Sequence, residues 1–304
     1  MSGEARVAGA PISWGVIEIP DWGYQMPADR VLREAASLGL AAVEAGPETL
    51  LGQDPDGVSK TLSGYGLSLV GGFVPAVLHE PDLREAQLAF VERRAEFFAA
   101  AGADVVVLAV ITSTGAFERT AELDEGQWRE LFESLKAVEE ICVRHGVAVS
   151  LHHHFGTVIE RDDQLRRFLE GSEMGLCLDT GHLVLGGGDP VEIAELAGDR
   201  VNHVHLKDVD RDLAGRVATR ELSYREGAAR GMYRPLGDGE VDVGRVIDLL
   251  EQAGYRGWYV LEQDTVVETE PDEGEGPISD VRKSLEFVKE RLAGARVGER
   301  GADG

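Results

Sequence analysis

Apolar, β-branched runs alternate with segments of helical period along almost the whole chain. Runs at 7–12, 41–45 (AAVEA), 67–73 (LSLVGGF), 104–110 (DVVVLAV), 147–152, 174–179, 201–206 (VNHVHL) and 257–262 (GWYVLE) have the length and composition of buried strands. Between them, apolar positions recur every three to four residues. In 83–101, Leu88, Val91, Ala95 and Phe98 share one face, and in 242–254 Val243, Val246, Ile247 and Leu250 do the same. Glycines in LGL (38–40), AGAD (101–104), RHGV (144–147) and QAGYRGW (252–258) stand where a helix stops and a strand begins.

Strands in strict alternation with helices imply a parallel sheet, and eight of them favour a closed α/β barrel, the (β/α)8 TIM barrel, as a single domain over 1–291. A doubly wound open sheet would show a Gly-rich phosphate turn after its first strand, and PISWGVIEIPDWG (11–23) is not one. Two stretches leave the pattern. Residues 208–240 form a long excursion after the seventh strand, read as a lid in which Tyr224, Arg225 and Tyr233 close over a polyol, or as a surface or oligomer-contact loop. Residues 292–304 have no core-forming pattern and are expected to be a flexible tail.

Composition narrows the function class. The net charge is −25, from 55 acidic and 30 basic side chains, and such a surface repels phosphate backbones and anionic lipid. Nucleic-acid and membrane partners are therefore not expected. Part of the excess lies in ETEPDEGEGPISD (268–280), which reads as a solvated loop. No apolar run approaches the roughly 18 residues of a membrane span, and no leader pattern is read at the start. Cys142 and Cys177 each sit in an apolar stretch, which points to a reducing compartment and a cytoplasmic protein. A homo-oligomer is compatible with all of this.

In a barrel the C-terminal ends of the strands surround the site. Four successive ends carry groups with metal affinity: His152 to His154, Asp179 in CLDTGHL, His203 and His205 in NHVHLKD, and Glu262 in VLEQD; Glu44 ends the second strand. Such side chains are costly to bury unpaired, and a shared cation satisfies several at once. Carboxylate and imidazole donors without thiolate suit Mn2+ or Co2+ first, with Mg2+, Fe2+ or Zn2+ as alternatives. Plainer roles exist. Glu44 can be an ion-pair partner, and Asp179 in DTGH can cap the following helix. In HVH, one histidine is expected to face the barrel and the other the helices. His152 and His154 share a facing, with His153 turned away.

These residues carry a resemblance. LDTGH, HVHLKD, GDGEVD and GWYVLEQD are similar to the xylose-isomerase-like TIM-barrel superfamily. Within it, HHHFGT, LDTGHL…GGDP, VNHVHLKDV and GMYRPLGDGEVDV…GYRGWYVLE resemble the myo-inosose-2 dehydratase family of inositol catabolism, most clearly across 147–262. The resemblance implies a divalent metal held by His152, Asp179, His205 and Glu262. It puts His182 and Arg211 on substrate oxygens; Glu44 and Trp14 (in APISWG) are further expected substrate contacts. His152 stands where sugar epimerases of this fold carry a glutamate, which argues against paired-glutamate epimerisation. The second glutamate that the dehydratases show soon after the first is replaced here by QDTVVETEPDE.

The expected partner is a small polyol or ketose. The expected reaction is elimination of water from a cyclic polyhydroxy ketone through a metal-stabilised enolate, with Glu262, His154 or Lys207 as base and a histidine as acid. The alternative on the same scaffold is a sugar or inosose isomerase or epimerase.

Overall fold

The computed structural model describes residues 6–112 and 122–302, with side chains through 294. Among the described residues, nine strand segments make one all-parallel sheet: β1 (Val7–Gly9), β2 (Ala42–Val43), β3 (Ser68–Leu69), β4 (Gly71–Ala76), β5 (Val105–Val110), β6 (Ala148–His152), β7 (Gly175–Asp179), β8 (Val201–Leu206) and β11 (Tyr259–Leu261). A separate antiparallel pair, β9 (Asp208–Val209) with β10 (Tyr233–Arg234), lies in the excursion.

β3 and β4 are one strand interrupted at Val70, so the barrel has eight strands. β3 pairs with β2 and β4 with β5, and the ring closes through Val70. Its N–H donates to Val43 (3.0 Å), and its carbonyl accepts from Asp104 (2.8 Å) and Val105 (3.1 Å). The backbones come so close here that a β-carbon on Gly71 would stand 2.0 Å from the Val105 carbonyl oxygen.

Alternation along each strand divides the core in two. Val106, Leu108 and Val110 join the large helix-packed cluster, whereas Val105 and Val107 join Ala8, Ala42, Cys177 and Val260 inside the barrel. Cys177 and Asp179 therefore face inward together. So do His203 and His205, because Val204 and Leu206 belong to the helix-packed set. That corrects the expectation for HVH: residues two apart in a strand share a face, so both histidines enter the barrel.

The register between β7 and β8 slips by one residue. Leu176 pairs with Val201 but Cys177 with His203, so that Asp179 comes to lie beside His205. Asn202, the residue skipped, is held by its amide. It donates to the Val149 carbonyl (3.1 Å) and accepts from the Ser150 hydroxyl (2.6 Å).

Other boundaries moved for local reasons. Pro11 ends the first strand early and starts a 3-10 turn, Pro11–Trp14. The excursion is not an open loop. It carries helices Arg211–Ala218 and Tyr224–Ala229 and buries Val209, Val217, Leu222, Tyr224, Met232 and Tyr233. Its GDGE turn is organised by Asp208, whose carboxylate accepts from four backbone N–H groups, of Val209, Gly237, Gly239 and Val241, at 2.9–3.0 Å. The acidic stretch is a mostly exposed loop over 268–276, pinned by Arg30, which donates to the Pro271 and Asp272 carbonyls (2.5 Å each), and its last four residues, 277–280, open a helix. Helix Pro277–Ala302 runs into the stretch 292–304 expected to be a flexible tail, of which 303 and 304 lie outside the described residues. Among the described residues no helix is long and apolar enough to cross a membrane.

Gly71→Ala must push two backbones apart at the closing seam. We expect a loss of about 3 kcal/mol, read as a lower urea midpoint at unchanged slope; an unchanged midpoint would show that the seam is plastic.

Candidate functional site

The site is assembled at the C-terminal ends of β6, β7, β8 and β11. The DTGH turn after β7 fixes its centre. Asp179 Oδ1 accepts from the N–H groups of Gly181 (2.9 Å) and His182 (2.8 Å), capping helix Thr180–Leu185. Thr180 ties this turn to the end of β8: its hydroxyl donates to the Lys207 carbonyl (2.6 Å) and accepts from the Lys207 N–H (2.8 Å). Gly181 is required by that closeness, because a β-carbon there would lie 2.6 Å from Lys207 Cβ.

The other oxygen, Asp179 Oδ2, faces the cluster. His152 Nε2 lies 3.3 Å away, His205 Nδ1 3.6 Å, Lys207 Nζ 3.7 Å and His182 Nε2 4.0 Å. His205 Nδ1 is also 3.0 Å from Glu262 Oε2. Lys207 is ion-paired with Glu262 and, at 2.6 Å, with Asp264. All of these side chains are buried or nearly so.

Ligand-capable atoms of Asp179, His205 and Glu262 fall within 4.8 Å of one another, which is compatible with one cation touching all three. His152 reaches this set through Asp179, in a second trio with His182. Three imidazole nitrogens here, His152 Nδ1, His182 Nε2 and His205 Nδ1, are buried without a hydrogen-bond partner. Orphaned nitrogens beside two carboxylates are what a divalent cation and an oxygen-rich ligand would satisfy. The residues fit the group. Cys177 forms a further trio with His152 and His205, and burial pushes its thiol up to about 11.

The protonation states follow from burial and neighbours. Burial opposes charge on Lys207, but Asp264, Glu262 and Asp179 outweigh it and hold the ammonium protonated. Burial pushes the His152 imidazole down to about 3, and lowers His154 and His182 as well. Burial would raise the Glu262 carboxyl, yet the His205 and Lys207 charges bring it down to about 2. Lys207 is thus a donor and unsuited to be the base. Of the buried histidines, His152, His154 and His182 are better acceptors than acids at neutral pH; burial opposes charge on His205, but Glu262, Glu44 and Asp179 outweigh it and hold it protonated.

Two tautomers are set by hydrogen bonds. His154 Nδ1–H donates to the Phe155 carbonyl (2.6 Å), which leaves the lone pair on Nε2. His182 Nδ1 accepts from the Phe155 N–H (3.4 Å), which leaves the proton on Nε2. Their rings lie 3.8 Å apart between centroids, and His182 stacks on Tyr224 at 18°. β6 ends at His152, yet His154 still turns toward the cluster; His153 braces it from outside, its Nε2 accepting from the Asp179 N–H (3.2 Å).

Three expected substrate contacts are placed elsewhere. Arg211 is exposed, and its Nε donates to the Glu240 carbonyl (3.3 Å), because the chain turns into β9 and a helix before reaching it. Trp14 is buried in the wall, its indole donating to Glu34 (2.9 Å), since the turn at Pro11 rotates it toward helix Ala28–Ser37. Glu44 sits under the cluster and accepts from His203 and His205.

Sequence reasoning missed Asp264 and the part played by two tyrosines. Tyr224 donates to Asp264 (2.6 Å), and the Tyr224 and Tyr233 hydroxyls lie 2.7 Å apart, so the excursion is fastened onto the site. The signal for Asp264 was present: it follows Glu262 by two residues and so shares its facing. It supplies a second carboxylate where a second glutamate was looked for.

A family model described as xylose isomerase-like TIM barrel matches residues 32–291. The chain belongs to this family. It is an enzyme, and its relatives include a protein of Geobacillus kaustophilus named inosose dehydratase, 32% identical over 84% of this chain and 86% of that one. The rhizopine catabolism protein MocC of Rhizobium meliloti is 30% identical over 84% of this chain and 81% of its own. The solved structure of an L-ribulose 3-epimerase shares the fold, with a TM-score of 0.70, 16% identity and 99% coverage of both chains.

Asp179→Asn keeps the capping oxygen and removes the charge from the cluster. We expect a folded protein whose Mn2+ affinity falls by at least about 100-fold, measured by equilibrium dialysis with metal analysis. Undiminished uptake would remove the cation from this centre.

Proposed function

We propose that this enzyme is a divalent-metal-dependent lyase that eliminates water from a cyclic polyhydroxy ketone of the inosose type. One observation carries the reading. A lysine held charged and three histidines held neutral, His152, His154 and His182, stand around the same carboxylates, so a proton donor and a proton acceptor coexist at neutral pH. Dehydration needs that pair: one group takes the proton beside the carbonyl, and another gives a proton to the departing hydroxyl. The relatives named inosose dehydratase support the substrate class.

Asp179, His205 and Glu262, with His152 beside Asp179, would hold the metal, for which the nitrogen and oxygen donors favour Mn2+ or Co2+. When bound, it supplies Lewis-acid polarisation of the ketone oxygen. His154, with its proton committed to the Phe155 carbonyl, accepts the α-proton at Nε2. His182 offers its Nε2–H to a substrate oxygen. Lys207 donates the proton that lets the β-hydroxyl leave, and Glu262 and Asp264 hold the ammonium in place. Tyr224 and Tyr233 cover this side and keep water from Asp264.

The Mn2+-loaded enzyme should turn over an inosose with growth of ultraviolet absorbance from the conjugated, enolised product. A product isomeric with the substrate, with no new absorbance, would instead make the enzyme an isomerase or epimerase.

Lys207→Met should lower kcat by about 100-fold or more while Mn2+ binding persists. Activity within threefold of wild type would sink the assigned donor. Tyr224→Phe takes one hydrogen bond from the buried Asp264 carboxylate, and kcat/KM should fall about tenfold. An unchanged value would make the tyrosine mere covering.

A further inference from the structure

Glu44 was expected to touch substrate, but its surroundings give it another task. It ends β2 on the barrel interior and is only 5% exposed. One oxygen, Oε1, accepts from two imidazoles, His203 Nε2 at 2.8 Å and His205 Nε2 at 3.1 Å. The far edge of the His205 ring carries Nδ1, which faces Glu262 Oε2 (3.0 Å) and Asp179 Oδ2 (3.6 Å) but makes no aligned hydrogen bond with either.

An imidazole that donates from one nitrogen offers its lone pair on the other once a cation displaces the proton there. A carboxylate behind Nε2 therefore decides which edge of His205 is the ligand edge. Glu44 comes from the opposite part of the chain, and only barrel closure through β1 and β11 brings it under β8. The second donor matters as well. His203 and His205 lie on the same face, one layer apart, and both point at the same oxygen. With two donors on it, Glu44 cannot rotate toward one histidine without losing the other. A further cation at Glu44, His203 and His205 would compete with these bonds, because both Nε2 protons would have to be lost together.

We infer that Glu44 is a positioning residue: it locks His205 in the Nε2–H tautomer, presenting Nδ1 to a cation between Asp179 and Glu262, while His203 keeps Glu44 aimed. This rests on the cation-binding part of the proposed function. It concerns how a ligand is oriented, not which groups are ligands.

Metal affinity and tautomer, measured separately from turnover, test it. In the full chain, Glu44→Gln should weaken Mn2+ binding by about 10- to 100-fold in equilibrium dialysis. A role confined to packing would lower the melting temperature and leave the affinity of the folded protein unchanged, so affinity within threefold of wild type overturns the inference. Should Glu44→Gln fail to fold, the wild-type protein still decides. Long-range proton–nitrogen NMR of the Zn2+-loaded chain should find His205 Nε2 protonated and Nδ1 coordinated; the reverse assignment overturns it. If wild-type protein takes up neither Mn2+ nor Zn2+, the cation reading falls together with this one. If wild type binds, Asp179→Asn does not, and Glu44→Gln binds normally, this inference fails alone.

Discussion

The structure turns on a division of labour within one buried carboxylate. Asp179 Oδ1 is spent on the backbone, closing the first turn of a helix, while Oδ2 is left facing imidazoles and an ammonium. A fully buried carboxylate is tolerable only when both oxygens have partners. The helix N-terminus satisfies one and orients the other. Because the cap fixes the carboxyl plane, Oδ2 is held still without any ligand. Lys207, Glu262 and His205 are arranged about a point that the backbone has already chosen.

The barrel supplies the neighbours by register rather than by loop length. The slip at Asn202 sets Asp179 beside His205, and the pairing of β2 to β8 through β1 and β11 brings Glu44 beneath both. Each charge added at the rim is answered by another: Lys207 by Glu262 and Asp264, His205 by Glu44 and Glu262. The result is a polar island above an interior of alanines and valines. Low polarity below and protein above strengthen every electrostatic contact in between.

Much of this was legible in the chain. The β8 run 201–206 appears with the boundaries read from its composition, and the metal-affine residues on successive strand ends did meet. What failed did so where a local rule gave way to tertiary geometry. The resemblance put Arg211 on a substrate oxygen, but a hairpin and a helix cap turn it to the surface. Trp14 was expected to touch substrate, but Pro11 stops the first strand and its turn aims the indole at Glu34. The two histidines of HVH were separated by misapplying a period that in fact unites them. Glu44 had an ion-pair reading from the start, and its partners, 159 and 161 residues away, could not be named without the closed barrel. Tyr224 and Tyr233 belong to a stretch with no strand or helix pattern of its own. Their contact with Asp264 depends on the excursion folding back, which composition does not encode.

The phenol that Tyr224 lends to Asp264 has a thermodynamic implication for what can enter. The carboxylate is kept in balance by an O–H donor, and a sugar-like guest brings donors of the same kind. Trading one such bond for its equal costs little net free energy, so an alcohol can take over the post without a toll. A guest without hydroxyls would displace the phenol and give the buried anion nothing back. The buried Asp264 anion therefore favours neighbours that can donate a hydrogen bond over apolar ones.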